Sequence, residues 1–184
     1  MKQLKALIFD VDGTLADNEQ EGHRIAFNLA FADYGLDWSW DREIYAELLE
    51  TFGGKERILH YIEGYQTGFK PQVGLDRFIR ELHQQKTRRY QELLKSGAIP
   101  LRPGVERLLR EAREAGLILA IASTTTQINV TTLLSKTLGE ESVAWFDVMA
   151  CGDVVDRKKP APDIFLYALE QLGLAADECL AIED

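Results

Sequence analysis

Four short apolar runs recur along the chain, at Ala6–Phe9, Leu117–Ala122, Val148–Cys151 and Leu180–Ile182, and each is followed closely by polar residues. Runs of this length, flanked by turn formers, predict strands buried on both faces. Beyond Pro103 the runs are separated by amphipathic stretches of helical period, which is the βαβ alternation of a parallel sheet. Between the first and second runs lie roughly a hundred residues with helical patterning and no convincing strand, far more than an ordinary crossover. The expected fold class is therefore α/β: a Rossmann-like parallel-sheet core from residues 1–16 and 97–184, with an inserted α-helical domain at 17–96. Helices are expected at about Glu19–Tyr34, Asp41–Phe52, Lys55–Tyr65 and Leu75–Ser96, punctuated by Gly35, Gly53-Gly54 and Gly74. The return to the core passes Gly97, Pro100, Pro103 and Gly104, which suits a hinge followed by a helix start near Val105.

Composition narrows what such a chain can do. At 184 residues and 46% hydrophobic content it can bury one good core and a smaller second one. A formal net charge of −9 disfavours nonspecific binding to nucleic acid or anionic membrane, so an anionic substrate has to be met by local cations. No apolar run is long enough to span a bilayer. Lys2 and Lys5 precede only a short apolar run that Asp10 interrupts, so no signal peptide is expected. Cys151 and Cys179 form no CxxC pair, and reduced, structural thiols in a cytoplasmic protein are expected.

The first run leads into Asp10-Val11-Asp12-Gly13-Thr14, which places two carboxylates at the carboxyl end of a strand, where open α/β sheets bind ligands. Two hard oxygen donors at this spacing suit Mg2+, and one of them can attack phosphorus while the other moves a proton. Gly13 allows close backbone approach and the Thr14 hydroxyl can steady the loop. An ordinary Asp/Gly turn has the same composition. A calcium loop also fits Asp10, Asp12 and Glu21 at positions one, three and twelve, but position six is Leu15 where the sharp turn needs glycine.

Three later strand ends carry matching chemistry. Ser123 and Thr124 follow the second run, where a hydroxyl can hold a phosphoryl oxygen or serve as a helix N-cap. Arg157-Lys158-Lys159-Pro160 supplies cations before a helix, and a lysine there can neutralise phosphate charge; a solvated basic turn is the plainer alternative. Glu183-Asp184 follows the fourth run and offers the carboxylates a divalent ion still needs, or simple loop solvation. The sequential order of Asp/Asp, Ser, Lys and Glu/Asp at four strand ends makes independent coincidence hard to sustain.

This order resembles the haloacid dehalogenase superfamily of phosphohydrolases, over essentially the whole chain. The resemblance implies that Asp10 is a nucleophile forming an aspartyl-phosphate and that Asp12 protonates the leaving oxygen and later activates water. It implies that Ser123 and Lys159 hold and neutralise the phosphoryl group, and that Asp10, the Asp12 carbonyl, Glu183 and Asp184 bind Mg2+. The insert's position resembles the helical cap of the β-phosphoglucomutase-like group. Within that group, Gly22-His23-Arg24, Gly35-Leu36-Asp37-Trp38 and Gly53-Gly54-Lys55-Glu56-Arg57-Ile58 look like the CbbY-like phosphatases of autotrophs, which remove phosphate from xylulose 1,5-bisphosphate, a Rubisco inhibitor.

A sugar bisphosphate presents one phosphate to transfer and one to recognise, so a second cationic site is needed. His23, Lys55, Arg57 and Lys86 are the candidates, with Asp17 and Thr124 as further substrate-binding positions; solvent-facing helical charges are the plainer reading of the cap cations. A monomer with a small sugar phosphate as its partner is expected, in the cytoplasm, or in the plastid stroma of a photosynthetic eukaryote. β-Phosphoglucomutase-type transfer and phosphoglycolate hydrolysis are the alternatives within the resemblance. Relatives of this kind continue beyond the fourth motif through a helix and another core strand. The last core strand is therefore expected to be missing through truncation, and the alternative from another class is a non-catalytic remnant that binds metal or phosphate.

Overall fold

The computed structural model describes residues 3–51, 53–152 and 154–184. Lys2, and Phe52 as the expected end of the second helix, lie outside the described residues. Among the described residues four parallel strands form the sheet: β1 (Ala6–Phe9), β2 (Ile118–Ser123), β3 (Phe146–Cys151) and β4 (Cys179–Ile182), in the order β3-β2-β1-β4. All four residues of β1 are buried, as a central parallel strand covered on both faces requires. The register pairs Phe9 with Ile121 on one side and with Ile182 on the other. Three strands therefore run out at one edge of the sheet beside Asp10. β4 is an edge strand, and its Leu180 is 51% exposed.

The chain divides into two compact units, Met1–Asn18 with Leu94–Asp184, and Glu19–Leu93. In the first, helix α7 (Asp163–Leu172) packs Ile164 and Ala168 against Ile8, Ala120, Ala122 and Ala150 of the sheet. The alanines on β2 and β3 let the helix approach closely. Helices α5 (Val105–Glu114) and α6 (Gln127–Leu138) complete this unit, with α5 contacting β2 and α6 contacting β3.

The second unit is helical. It opens with a five-residue π-helical stretch, Glu19–His23, and continues as α1 (Arg24–Asp33), α2 (Arg42–Leu49), α3 (Gly54–Tyr65) and the start of α4 (Leu75–Ser96). The single helix expected over Glu19–Tyr34 is thus two segments with different winding. Asp41, expected inside the second helix, instead caps it: its side chain accepts a hydrogen bond from the Ile44 N–H at 2.8 Å. The core is aromatic, built on Phe27, Phe31, Trp38, Trp40, Tyr45 and Tyr61. Each fully buried side chain of this size contributes roughly 1.5–3 kcal/mol. The Asn28 side chain fixes the connection between α1 and α2, donating to the Trp40 carbonyl at 2.9 Å and accepting from the Trp40 N–H at 2.8 Å. No helix among the described residues is long and apolar enough to cross a membrane.

Candidate active site

Asp10 leaves β1 at the sheet edge, its backbone N–H donating to the Ile182 carbonyl at 3.0 Å. Asp10 is 7% exposed, and burial of a charge at that level requires a partner. Lys159 provides it, with Nζ 2.8 Å from Asp10 Oδ1 and also bonded to Glu183 Oε1. The lysine lies 5.1 Å from the centre of the Phe165 ring. Its neighbour Lys158 turns to backbone carbonyls instead, donating to Gly152 at 2.7 Å and Val155 at 3.0 Å.

Asp10, Glu183 and Asp184 each offer an oxygen within 4.8 Å of the others. Three carboxylates this close repel one another, and one ammonium offsets only part of that charge. The hard oxygen donor set fits a divalent cation of the Mg2+ or Ca2+ type. Gly13 makes room for the Asp184 carboxylate: at φ +88° a Cβ there would lie 2.4 Å from Asp184 Oδ2. Gly13→Ala is expected to cost about 1–2 kcal/mol through the left-handed backbone alone. By displacing the Asp184 carboxylate, it is also expected to lower turnover at least about tenfold. Thermal denaturation and phosphate release measure the two effects separately.

The loop after Asp10 is held from several directions. Gly13 N–H donates to Ala16 carbonyl at 2.9 Å, Arg102 N–H donates to Leu15 carbonyl at 2.8 Å, and the Arg102 guanidinium donates to the Gly13 carbonyl. The Asn18 side chain donates to Asp12 Oδ1. Ser123 ends β2, 1% exposed, opposite Cys151 in the register; its Oγ lies 3.4 Å from the Thr125 N–H and its carbonyl accepts from Gly152 N–H at 3.1 Å. Burial pushes the Cys151 thiol up to about 11, helped by the Asp10 carboxylate, so it stays protonated, and both cysteines are free. Thr124 is exposed and Asp17 is half-buried.

The cap candidates form their own group within the helical unit. Lys86 is 8% exposed, and its Nζ is 2.9 Å from His23 Nδ1 and 4.8 Å from the centre of the Phe27 ring. A lysine only donates, so the imidazole accepts at Nδ1 and carries its proton at Nε2. His23 also stacks on Tyr90, with ring centres 4.0 Å apart. The plainer expectation of a solvated face therefore fails for Lys86. It continues a buried stripe of Phe78, Leu82 and Tyr90 along α4.

Arg57 is largely committed to the protein itself. Its Nε donates to the Thr51 carbonyl at 3.0 Å, and Nη1 reaches Tyr45 Oη at 3.2 Å and Glu19 Oε2 at 3.4 Å. Tyr45 in turn donates to Glu19 Oε2 at 2.6 Å. This network ties Glu19, and with it the start of the π-helical stretch, to α2 and α3. Lys55 is exposed. It acts on His83, whose ring fills the space beside Gly54: a Cβ on that glycine would lie 2.5 Å from His83 Nε2.

Burial, followed by Lys86, Arg57 and His83, holds His23 well below the usual imidazole range. Burial, followed by Lys86 and Lys55, brings His83 down to about 4. In the unfolded chain both would titrate near 6.5. Between these limits the unfolded state binds more protons than the folded one, so stability is fully present above pH 6.5 and falls as pH drops towards 4. Melting temperature is expected to decline over that window, and His83→Gln is expected to flatten the decline.

Sequence reasoning did not single out Asn18, Arg102 or His83. Asn18 and Arg102 are recognisable only from tertiary contacts. The Gly53-Gly54 pair before a helix, with no side chain at the point where His83 enters, was the one local signal for the last.

A family model of haloacid dehalogenase-like hydrolases matches residues 4–184. The protein CbbY of Rhodobacter capsulatus is 51% identical over 182 residues, covering 99% of this chain and 78% of that protein. A crystal structure of CbbY from Rhodobacter sphaeroides, an aspartate-to-asparagine mutant in complex with xylulose-(1,5)bisphosphate, is 44% identical with a TM-score of 0.77, covering 97% of this chain and 77% of that one. A putative β-phosphoglucomutase from Thermotoga maritima is 27% identical with a TM-score of 0.72, covering 97% and 75%. The likeness extends through all four strand ends described above, and on that ground the chain belongs to the haloacid dehalogenase-like hydrolases, in their CbbY-like branch, and is a phosphatase.

Proposed function

We propose that this phosphatase acts on a sugar bisphosphate with Mg2+ as cofactor, that xylulose 1,5-bisphosphate is its substrate, and that Asp10 carries the phosphoryl group between the two half-reactions. The observation that carries the reading is the Asp10 carboxylate, buried against Lys159 with Glu183 and Asp184 gathered around it.

In the first half-reaction an Asp10 oxygen bonds to phosphorus as the bond from phosphorus to the sugar oxygen breaks, and Asp12 gives that oxygen a proton. In the second, water attacks phosphorus, Asp12 takes its proton, and inorganic phosphate leaves with Asp10 restored. Lys159 and Ser123 hold the phosphoryl oxygens, since phosphoryl transfer depends mainly on positioning and charge neutralisation. Asp10, Glu183, Asp184 and the Asp12 carbonyl would hold Mg2+, which when bound offsets the charge that the phosphoryl oxygens carry.

The choice of a bisphosphate rests on the helical unit, for which we propose the role of substrate recognition. Lys86 beside a neutral His23, with Lys55 on the same unit, provides cationic character that a singly phosphorylated small acid would have less use for. Arg57 belongs to this recognition mainly by holding Glu19 and Tyr45 in place. The CbbY relative solved with xylulose-(1,5)bisphosphate supports the same substrate class.

Steady-state kinetics with Mg2+ on xylulose 1,5-bisphosphate, ribulose 1,5-bisphosphate, β-glucose 1-phosphate and phosphoglycolate test the proposal. The highest kcat/KM is expected on xylulose 1,5-bisphosphate, with stoichiometric phosphate release. A preference for ribulose 1,5-bisphosphate, or isomerisation of β-glucose 1-phosphate in place of phosphate release, would contradict it.

A further inference from the structure

We infer that Asn18 is a positioning residue for Asp12, fixing the orientation of the acid/base carboxylate through its side-chain amide. The inference rests on the phosphatase reading and adds to it a residue outside the four motifs.

Asn18 is 1% exposed, and its Nδ2 donates to Asp12 Oδ1. The other end of the same amide, Oδ1, is buried and has no hydrogen-bond partner among the described residues. The orientation of the amide follows from its neighbour, because a flipped amide would set its oxygen against a carboxylate oxygen. Here the satisfied end touches the carboxylate that must meet the leaving oxygen.

The consequence is specific to proton delivery. The ratio kcat/KM reports steps through the first phosphoryl transfer, and that step needs an acid only when the leaving group is poor. A sugar alkoxide is a poor leaving group; p-nitrophenolate leaves without help. A residue that positions Asp12 therefore affects the two substrates unequally, whereas a residue that merely supports the fold affects them alike.

The test compares kcat/KM for xylulose 1,5-bisphosphate and for p-nitrophenyl phosphate in wild type, Asn18→Leu and Asn18→Thr. Leucine keeps the volume and removes the donor; threonine restores a donor. Asn18→Leu is expected to shift the ratio of the two values at least about tenfold against the sugar phosphate, the scale on which orienting groups act. Asn18→Thr is expected to recover most of that shift. Equal losses on both substrates, no shift in Asn18→Leu, or a threonine variant as impaired as leucine would each overturn the inference while leaving the phosphatase reading intact. A wild type that hydrolyses neither substrate would overturn both.

Discussion

Asp10→Asn is expected to lose phosphatase turnover by about 10⁴-fold or more, the scale seen when a nucleophile is removed from a site whose other groups remain. The substitution keeps the shape of the side chain and removes its charge, and the neutral amide oxygen that remains is too weak a nucleophile to attack phosphorus. Its effect on folding should be small by comparison. Lys159 still has Glu183 as its partner, and a neutral amide is cheaper to bury than a carboxylate. A melting temperature close to that of wild type, together with the loss of turnover, would place the effect in the chemistry. A loss of only a few fold would refute the assignment of Asp10 as nucleophile.

Asp12→Asn should slow turnover by about 10²–10⁴, the usual contribution of a positioned acid or base. Both half-reactions are affected, because the same carboxylate gives a proton to the sugar oxygen and takes one from water. The asparagine still accepts a hydrogen bond from Asn18 through its carbonyl, so the loop after Asp10 keeps its contacts. Single-turnover measurements with the sugar bisphosphate and with p-nitrophenyl phosphate separate the two half-reactions. A variant that slows the sugar bisphosphate and the nitrophenyl ester equally in the first half-reaction would contradict the role of Asp12 as proton donor.

The strands were legible because a parallel strand buried on both faces has to be written as an apolar run, and Ala6–Phe9 is one in full. Their carboxyl ends were legible as chemistry because Asp10, Ser123, Lys159 and Glu183 each follow such a run or precede a helix. Their order in the sheet was not legible, since β1 pairs with β2 and β4 through crossovers whose direction no local residue specifies. The winding of Glu19–His23 escaped the pattern as well, because five residues are too few for a period to distinguish a π-helical turn from an α-helical one.

Charged and polar side chains were read least well, and for one physical reason. Lys86 lies on the apolar stripe Phe78, Leu82, Tyr90, yet its charge suggests solvent; only its burial, with the ammonium over the Phe27 and Tyr90 rings, shows otherwise. Arg57, one candidate for the second cationic site, is bound by Glu19, Tyr45 and the Thr51 carbonyl, partners that no local pattern announces. Asn18 carries no signal at all, since its meaning lies in which oxygen it touches. The openness of Gly13 was apparent from its place in the turn, but the carboxylate it admits comes from the other end of the chain.

The most direct test of the account is acid quenching of the protein during turnover of the sugar bisphosphate with Mg2+, followed by peptide mass spectrometry. The account predicts one phosphoryl group on the peptide containing Asp10, lost when Asp10 is replaced by asparagine and, with p-nitrophenyl phosphate as the donor, whose leaving group needs no acid, more abundant in Asp12→Asn. A phosphoryl group on any other residue, or turnover with no labelled peptide at any quench time, would contradict it.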